Sequence, residues 1–508
     1  MRDVVVVGAG HNALVAACYL ARVGLDVEVL ERDSVVGGAV STVERFPGYR
    51  MDRGSSAHIM IRHTGIVEDL RLAEVGLVYQ DLDPWGFAPF GEEALTFWVD
   101  LDRTCASIAA MCGEVDASAY RAFVQLWQAR NERIFAAFQA PPTPRNLGRA
   151  LWKLGGSGME TAREFLQPGD ALLDAYFRDE RLKTALSWLG AQAGPPTHEV
   201  ATADLVGWNA MLHVRPPGHP VGGSGALTVA LAARFTGYGG RLRLGDGAAA
   251  IRVAGGRATG VVTDSGDLVE ARAVLAGCHV LTTLDLLGDP ALIADARRRA
   301  RVGNGIGMAV RLATSDLPRY PTATADTYRA LQLLAPSRAG LRSAYGDFAA
   351  GLPPRAPAAL AMTFSAFDDT LAPAGKHSVS VWGQWHPYSL SNGERWEDIA
   401  EREGSNLVAA VDAVAPGFAA SVEAMYVQTP LDLERELGLR RGNVMHLEMG
   451  LDGMFGWRPL PEWSGYRGPY GVYLAGASTH PGGGVFGASG RSAARVLLAD
   501  RRRRWPRR

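Results

Sequence analysis

The hydrophobic and polar positions near the N-terminus follow the pattern of a β-turn-α-β unit. Val4 to Val7 is a continuous apolar run of β-branched residues, which is typical of a strand buried on both faces of a parallel sheet. Apolar residues then recur at helical spacing from Ala13 to Leu20, and Gly24 lies where a helix commonly ends. Val27 to Leu30 predicts a second short strand. The pattern indicates an α/β protein of the Rossmann type.

The turn between the first strand and the helix predicts a dinucleotide site. It has the form Gly-x-Gly-x-x-Ala, with Gly8 for the tight turn, Gly10 for close approach of a pyrophosphate, and Ala13 for packing of the helix on the strand. Glu31 follows about 20 residues later and can accept hydrogen bonds from an adenosine ribose. A tight turn that binds nothing is the alternative, but strand, helix and acid all occur in their expected places. The acid disfavours the 2′-phosphate of NADP.

Two segments after Glu31 bear on the choice of cofactor. The pair Gly37-Gly38 resembles the extended motif of FAD-binding oxidoreductases, and this favours FAD over NAD. Gly54 to Ala57 is small and polar, which suits a backbone that passes close to a ligand. His58 follows it and is a candidate catalytic residue, because a histidine titrates near neutrality. The alternative is a histidine that is solvated or satisfied in the core.

The pattern of hydrophobic positions changes twice in the middle of the chain, first to helical spacing and then back to short strands. From about residue 72 to 213 helical patterns predominate, for example at 119–137 and 171–191, and the segment contains six tryptophans that either line a substrate cavity or pack a core. After Pro216 the pattern returns to short strands. Residues 310–448 mix strands and helices, with a strand at 378–382 and a helix at 396–413. The returning strands are predicted at 241–244, 248–253, 258–263, 268–270 and 273–276.

A second strand-turn-helix pattern lies near the C-terminus. Val472 to Ala475 predicts a strand, Gly476 to Gly487 a glycine-rich turn, and Ser489 to Ala499 a helix whose N-terminus suits an electron-rich group. His480 lies in this turn and is the second candidate catalytic residue; packing at the edge of a flavin is the alternative. By contrast, the glycines from Gly303 to Gly307 lack a preceding apolar strand, so we reject them as a second dinucleotide site.

Composition narrows the function classes. The chain has 508 residues, 47% of them hydrophobic, and a net charge of −1, so no global field argues for nucleic acid. None of the four cysteines forms a Cys-x-x-Cys pair, so neither a dithiol redox centre nor a metal site is indicated. No apolar run is long enough to span a membrane, and we expect a cytoplasmic protein. The basic tail 501–508 is predicted to be disordered and solvated, with contact to anionic lipid as the alternative.

Three separated stretches, at residues 4–38, 222–244 and 474–490, together resemble the phytoene desaturase-like flavoproteins of the amine-oxidase-like superfamily. The Gly10-His11-Asn12 variant of the turn looks most like the branch named for pyridine nucleotide-disulfide oxidoreductase domain protein 2. The resemblance implies an α/β protein with a discontinuous Rossmann-type FAD-binding domain and an inserted α+β substrate domain. The FAD-binding domain would comprise 1–71, 214–299 and 449–500, and the substrate domain 72–213 and 300–448, before the tail.

The resemblance also implies non-covalent FAD and an oxidoreductase that acts on a small organic molecule. The first hypothesis is dehydrogenation or desaturation of an apolar, natural-product-like substrate by hydride transfer to flavin N5, with oxygen or a quinone as acceptor. A redox-neutral isomerase, an amine oxidase and a flavin-bearing scaffold are the alternatives, and the oligomeric state stays open. The candidate cofactor-binding residues are Gly8, Gly10, His11, Asn12, Ala13, Glu31, Arg32, Gly37, Gly38, Ala39, Gly54, Ser55, Ser56, Ala57, Gly476, Ala477, Gly484, Val485, Phe486 and Gly487.

Overall fold

The described strands form two large sheets and two short antiparallel pairs. The computed structural model describes residues 1–146, 148 and 163–504. One sheet takes its strands from the beginning, middle and end of the chain, and the other from the two segments between. The strands are β1 Arg2–Val7, β2 Val27–Leu30, β3 Thr42–Phe46, β4 Tyr49–Asp52, β5 Tyr79–Asp81, β6 Gly86–Phe90, β7 Glu93–Phe97, β8 Gly218–Pro220, β9 Arg241–Arg243, β10 Ala248–Ala254, β11 Arg257–Thr263, β12 Leu268–Ala276, β13 Gly307–Thr314, β14 Leu331–Leu334, β15 Ala359–Met362, β16 His377–Gln384, β17 Val422–Gln428 and β18 Tyr473–Leu474.

β1 lies in the interior of the first sheet. It pairs in parallel with β2 on one side and with β12 on the other, so that Val4 lies beside Val27 and Ala273. The strand order is β10-β11-β12-β1-β2-β9, and β18 adds in parallel to β12. Val4, Val5 and Val6 have no exposed surface. The prediction of a strand buried on both faces is therefore confirmed, and with it the Rossmann-type α/β fold.

The α-helices pack around these sheets. α1 (His11–Arg22) packs against α8 (Gly225–Gly237) and α14 (Ala488–Arg504), so the helices of all three chain pieces cover the first sheet together. The small side chains of α1, such as Ala13, Ala16 and Ala17, are fully buried and permit this close packing. The helices are α1 His11–Arg22, α2 Ile66–Asp69, α3 Leu101–Cys112, α4 Glu114–Phe138, α5 Gly169–Tyr176, α6 Glu180–Ala191, α7 Ala203–Gly207, α8 Gly225–Gly237, α9 Val280–Leu287, α10 Pro290–Arg299, α11 Arg338–Ala349, α12 Trp396–Asp412, α13 Pro430–Leu437 and α14 Ala488–Arg504.

The second sheet has the order β17-β13-β16-β15-β14-β6-β7. Every residue of β13 is buried, and the strand pairs antiparallel with β16 and β17. β6 joins β14 in parallel, with Gly86 beside Leu331. Two strands from the first inserted segment therefore complete a sheet whose other strands come from the second inserted segment. The sheet membership agrees with the division into two domains, which stays a prediction about folding units.

Several element predictions need correction. The sequence pattern predicts a largely helical first inserted segment, but this segment also holds β5, β6 and β7. The helical pattern at 171–191 is broken between α5 and α6, because Asp179 caps a new helix by accepting from the backbone N–H of Arg181. The strands expected at 268–270 and 273–276 are one strand, β12. The composition predicts a disordered tail from residue 501, yet α14 continues to Arg504; residues 505–508 lie outside the described residues.

Candidate functional site

The first turn leaves open space in front of a helix N-terminus. Gly8 has φ +87°, a conformation that favours glycine. Gly10 caps α1 without any side-chain cap, and a Cβ atom at Gly10 would meet no other atom within 4 Å. Ala13 packs so closely on Gly277 that a Cβ atom there would lie 2.4 Å from the Ala13 methyl group. Helix N–H groups that face open space form a ready site for an anion such as a pyrophosphate.

Glu31 ties this turn to the end of β2. Its buried carboxylate accepts one hydrogen bond from Ala9 N at 2.7 Å and another from Asp33 N at 2.9 Å. An ionised carboxylate has about four acceptor positions, so about two stay available for the hydroxyls of a ribose. Arg32, the next residue, is exposed and packs beside Gly247 and Gly438.

The paired glycines and the small polar segment lie next to the first turn. Gly37 N donates to Ala9 O, and Gly37 forms a parallel bridge with Gly10. Its φ is +113°, and a Cβ atom would lie 2.1 Å from Val40 O, so only glycine fits there. Ser55 N donates to Ala39 O at 2.8 Å. The structure therefore brings Gly37, Gly38, Ala39 and the segment Gly54–Ala57 to the same edge of the first sheet as Gly8 and Gly10.

The C-terminal turn completes this edge. Ala475 N donates to Ala276 O, and a Cβ atom at Gly476 would lie 2.6 Å from Cys278 O. At the far end of the turn Gly490 lies against Asn12 O, where a Cβ atom would come within 1.9 Å. The N-termini of α1 and α14 therefore meet. Ala477, Gly484, Val485, Phe486 and Gly487 lie between these two contacts, and Val485 has φ +56°.

Buried polar atoms at this edge lack partners in the described protein. They are His11 Nε2, Asn12 Oδ1 and Ser56 Oγ. Burial lowers the pKa of His11 to about 4, so its ring is neutral near pH 7. Buried polar atoms are nearly always hydrogen-bonded in folded proteins. A polar cofactor along the turns would satisfy them, and the residues present therefore fit a dinucleotide such as FAD.

His58 is buried with both ring nitrogens engaged. Nδ1 lies 2.7 Å from the Tyr79 hydroxyl and Nε2 lies 2.8 Å from Ser224 Oγ. Burial is the main cause that lowers the pKa of His58 to about 3. A neutral histidine that bridges two hydroxyls has no free nitrogen for a substrate, so this geometry argues against a catalytic role for His58. Sequence reasoning could not identify its partners, which lie 21 and 166 residues away.

His480 has one free ring nitrogen. Nε2 donates to Ala137 O at 3.2 Å, whereas Nδ1 is buried and has no partner in the described protein. With the proton on Nε2, Nδ1 presents a lone pair. Burial is the main cause that lowers the pKa of His480 to about 4, so the ring is neutral near pH 7. This geometry suits a hydrogen-bond acceptor toward a bound molecule.

An aromatic wall, not recognised in the sequence, surrounds His480. Phe138 and Phe455 stack at 5.4 Å between ring centroids, and their rings lie 5.8 and 5.3 Å from the His480 ring. Phe486 and Phe135 extend the wall, 6.1 Å from each other. Phe135 and Phe138 are three residues apart at the end of α4, a helical spacing that would have placed them on one face. The wall brings apolar side chains from α4 beside the C-terminal turn.

The structure shows how deeply the tryptophans are buried and whether the cysteines are paired. Trp85, Trp127 and Trp188 are fully buried in one core cluster, which favours packing over a cavity lining. Trp98 and Trp208 are half-buried, and Trp152 lies outside the described residues. The cysteines Cys18, Cys105, Cys112 and Cys278 are free thiols. Within residues 1–146, 148 and 163–504, no group of three or more His, Cys, Asp or Glu could hold a metal ion.

Comparison with known proteins agrees with this site. Residues 6–70 match the family model of the NAD(P)-binding Rossmann-like domain. The pyridine nucleotide-disulfide oxidoreductase domain-containing protein 2 of Rattus norvegicus is 32% identical, over 98% of this chain and 93% of that protein. The chain belongs to this family. The family name mentions a disulfide, and the four cysteines of this member are free thiols.

Two further similarities extend beyond the family. Phytoene dehydrogenase of Streptomyces griseus is 28% identical, over 99% of this chain and 96% of that protein. A solved putrescine oxidase variant has the same fold, with a TM-score of 0.61 at 13% identity over 98% of this chain and 99% of that chain. The predicted family and fold class are confirmed. The chain is an FAD-dependent oxidoreductase with a Rossmann-type domain. No described helix is both long and apolar enough to cross a membrane.

Proposed function

We propose that this family member dehydrogenates or desaturates an apolar, natural-product-like organic molecule. The observation that carries the proposal is the aromatic wall beside the C-terminal turn, formed by Phe135, Phe138, Phe455 and Phe486. When bound, FAD supplies the acceptor for a hydride from a substrate carbon at flavin N5. Aromatic side chains bury large apolar areas and exclude water, so they suit an apolar substrate better than a charged one.

The chain's own turns would hold the cofactor. The open N-terminus of α1 after Gly10 would bind the pyrophosphate, and the two acceptor positions left on Glu31 would bind the ribose. Gly37–Ala39 and Gly54–Ala57 would lie along the cofactor with their backbones, because little side-chain bulk separates them from it. The C-terminal turn with Gly476, Ala477 and Gly484–Gly487 would complete the cradle. His11 and Asn12 would use their unpartnered polar atoms.

His480 is the proposed residue for substrate contact. Its Nδ1 lone pair is unpartnered, and Phe138 and Phe455 fix the ring. A hydrogen bond from a substrate hydroxyl or amine to Nδ1 would orient the carbon that is oxidised. A pKa of about 4 makes His480 a weak base, so orientation is its main role in this proposal. We assign His58 a structural role between Tyr79 and Ser224.

The electron acceptor is proposed to be oxygen or a quinone, with the protein working in the cytoplasm. The glycines from Gly303 to Gly307 lead into the antiparallel strand β13 and not into a helix, so they offer no second dinucleotide cradle. Without a dithiol centre, electrons would leave directly from the cofactor. The inserted segments 72–213 and 300–448 would form the substrate domain.

The test begins with the cofactor and then turns to the substrate. The purified protein is expected to be yellow and to release FAD, not FMN, on denaturation. Ligands that co-purify, identified by mass spectrometry, then serve as substrates in anaerobic mixing. Consumption of one equivalent of electron acceptor for each product formed supports a dehydrogenase. Product formation without acceptor consumption indicates an isomerase, and release of ammonia indicates an amine oxidase. A colourless protein that FAD cannot reconstitute would contradict the proposal.

A further inference from the structure

A buried arginine lies under the C-terminal turn, and its charge has no carboxylate partner in the described protein. We infer that Arg458 supplies the fixed positive charge that stabilises the reduced, negatively charged form of the bound flavin. The inference deepens the proposed function and rests on its placement of FAD along Gly476–Gly487. It assigns to Arg458 control of the reduction potential of the flavin.

The Arg458 side chain is held entirely by main-chain carbonyl groups. It is fully buried, with 0% of its surface exposed. Its guanidinium donates to Met445 O at 2.6 Å, to Glu448 O at 3.1 Å, and to Ala477 O at 3.0 and 3.4 Å. These bonds fix the guanidinium plane against two chain segments. Carbonyl oxygens carry only partial charge, so the group keeps its net positive charge.

Arg338 shows what a compensated charge looks like here, whereas Arg311 and Arg491, which are also buried, form no ion pair among the described residues. Arg338 binds the carboxylates of Asp174 and Glu180. Arg458 contacts Glu448 only through the main-chain carbonyl, and the Glu448 carboxylate is bound by Arg301 instead. Among the described residues Arg458 forms no ion pair, and burial lowers its pKa to about 9. An unpaired buried charge is strongly unfavourable, so an anion from outside the chain would stabilise this site.

The position of the guanidinium identifies that anion. Two of its hydrogen bonds go to Ala477 O, within the turn proposed to line the flavin. Its Cζ would lie 3.4 Å from a Cβ atom at Gly482 in the same turn. Oxidised flavin that takes up two electrons and one proton gains one negative charge on its pyrimidine ring, while the electron donor is oxidised by two electrons. A cation in a site with little water favours this charged form over the neutral oxidised form.

The pyrophosphate is the other anion of FAD, and it predicts a different result. Its charge is the same in oxidised and reduced cofactor. A cation that serves the pyrophosphate would therefore strengthen FAD binding without changing the reduction potential. A cation that stabilises the charge gained on reduction would instead change two properties. These are the reduction potential of the flavin and its affinity for sulfite, an anion that binds to oxidised flavin.

The test compares the full-length holoprotein with Arg458→Met and Arg458→Lys. Reduction is driven by xanthine, which xanthine oxidase converts to urate, against a reference dye in equilibrium with the flavin. In Arg458→Met we expect the equilibrium constant for flavin reduction to fall about tenfold or more, which is about 30 mV for a two-electron couple. Arg458→Lys keeps the charge and should stay within about threefold of wild type. Arg338→Met is the control, because it removes a paired arginine and should affect stability but not the potential.

Two outcomes would overturn the inference. The first is an Arg458→Met protein that binds FAD and keeps the wild-type reduction potential. If FAD affinity falls while the reduction potential stays unchanged, Arg458 serves the pyrophosphate instead. If Arg458→Met does not fold, the wild-type holoprotein decides the question, since sulfite should bleach it reversibly and a wild-type flavin that sulfite fails to bleach contradicts the inference. A protein that binds no FAD at all contradicts the proposed function instead, so the two failures are distinguishable.

Discussion

The carboxylate of Glu31 is expected to control FAD affinity in two ways. It accepts hydrogen bonds from Ala9 N and Asp33 N, and thereby shapes the glycine turn before any ligand is bound. Its remaining acceptor positions are proposed to bind the ribose hydroxyls. Glu31→Ala removes both contributions at once. The substitution leaves β2 in place, because Val29 and Leu30 stay buried in the sheet.

The magnitude follows from the hydrogen bonds that are lost. A hydrogen bond to a charged group contributes about 1.5–3 kcal/mol. Loss of one ribose bond therefore weakens FAD binding by about tenfold or more, since a factor of ten corresponds to about 1.4 kcal/mol. Loss of the second bond and of the fixed turn would add to this. We expect an increase of at least about tenfold in the dissociation constant of FAD in Glu31→Ala.

The assay is a titration of apoprotein with FAD, followed by quenching of flavin fluorescence. Glu28→Ala is the matched control, because Glu28 is a buried glutamate in β2, three residues before Glu31, and its carboxylate binds Arg2 and Arg243 instead of the turn. It should lower the unfolding temperature but leave FAD affinity within about threefold of wild type. A Glu31→Ala protein with wild-type circular dichroism and unchanged FAD affinity would refute the reasoning.

Three further predictions concern folding, pH and the electron donor. A fragment of residues 72–213 should not fold alone, because β6 needs β14 as its neighbour and Trp188 donates to Ala359 O; a monomeric fragment that unfolds cooperatively would contradict this. Burial lowers the folded-state pKa of His11 and His386 to about 4, below the ordinary value of 6.5, so the unfolded chain binds protons first as the pH falls. The free energy of unfolding should be highest above about pH 6.5 and should fall towards pH 4 by about 1.4 kcal/mol per pH unit for each such histidine. Unfolding temperatures that stay constant from pH 7.5 to 5 would contradict this prediction. Anaerobic mixing with excess NADH or NADPH should leave the flavin absorbance unchanged on the timescale of turnover, and rapid bleaching would argue for a nicotinamide site.

The sequence was sufficient for the elements whose signals are local. The run Val4–Val7, the turn at Gly8 and Gly10, and the helix after it are each fixed by neighbouring residues, because burial on two faces requires an apolar run and a tight turn requires glycine. The same holds for the C-terminal turn before α14. Glu31 was recognisable because its distance from the turn is set by the length of one helix and one strand. The rejection of Gly303–Gly307 likewise rested on the absence of a strand before it.

Only the tertiary structure distinguished the two candidate histidines and revealed Arg458. His58 and His480 both stand in small, polar segments, yet one has two partners and the other a free nitrogen, because those partners come from residues as far as 343 positions away in the chain. In sequence, Arg458 is one of 52 basic residues. Its complete burial depends on how the segments 445–448 and 476–482 fold over it. Whether a side chain is buried, and which groups it contacts, depends on residues that are distant in sequence. Residue type and local spacing therefore do not encode these properties.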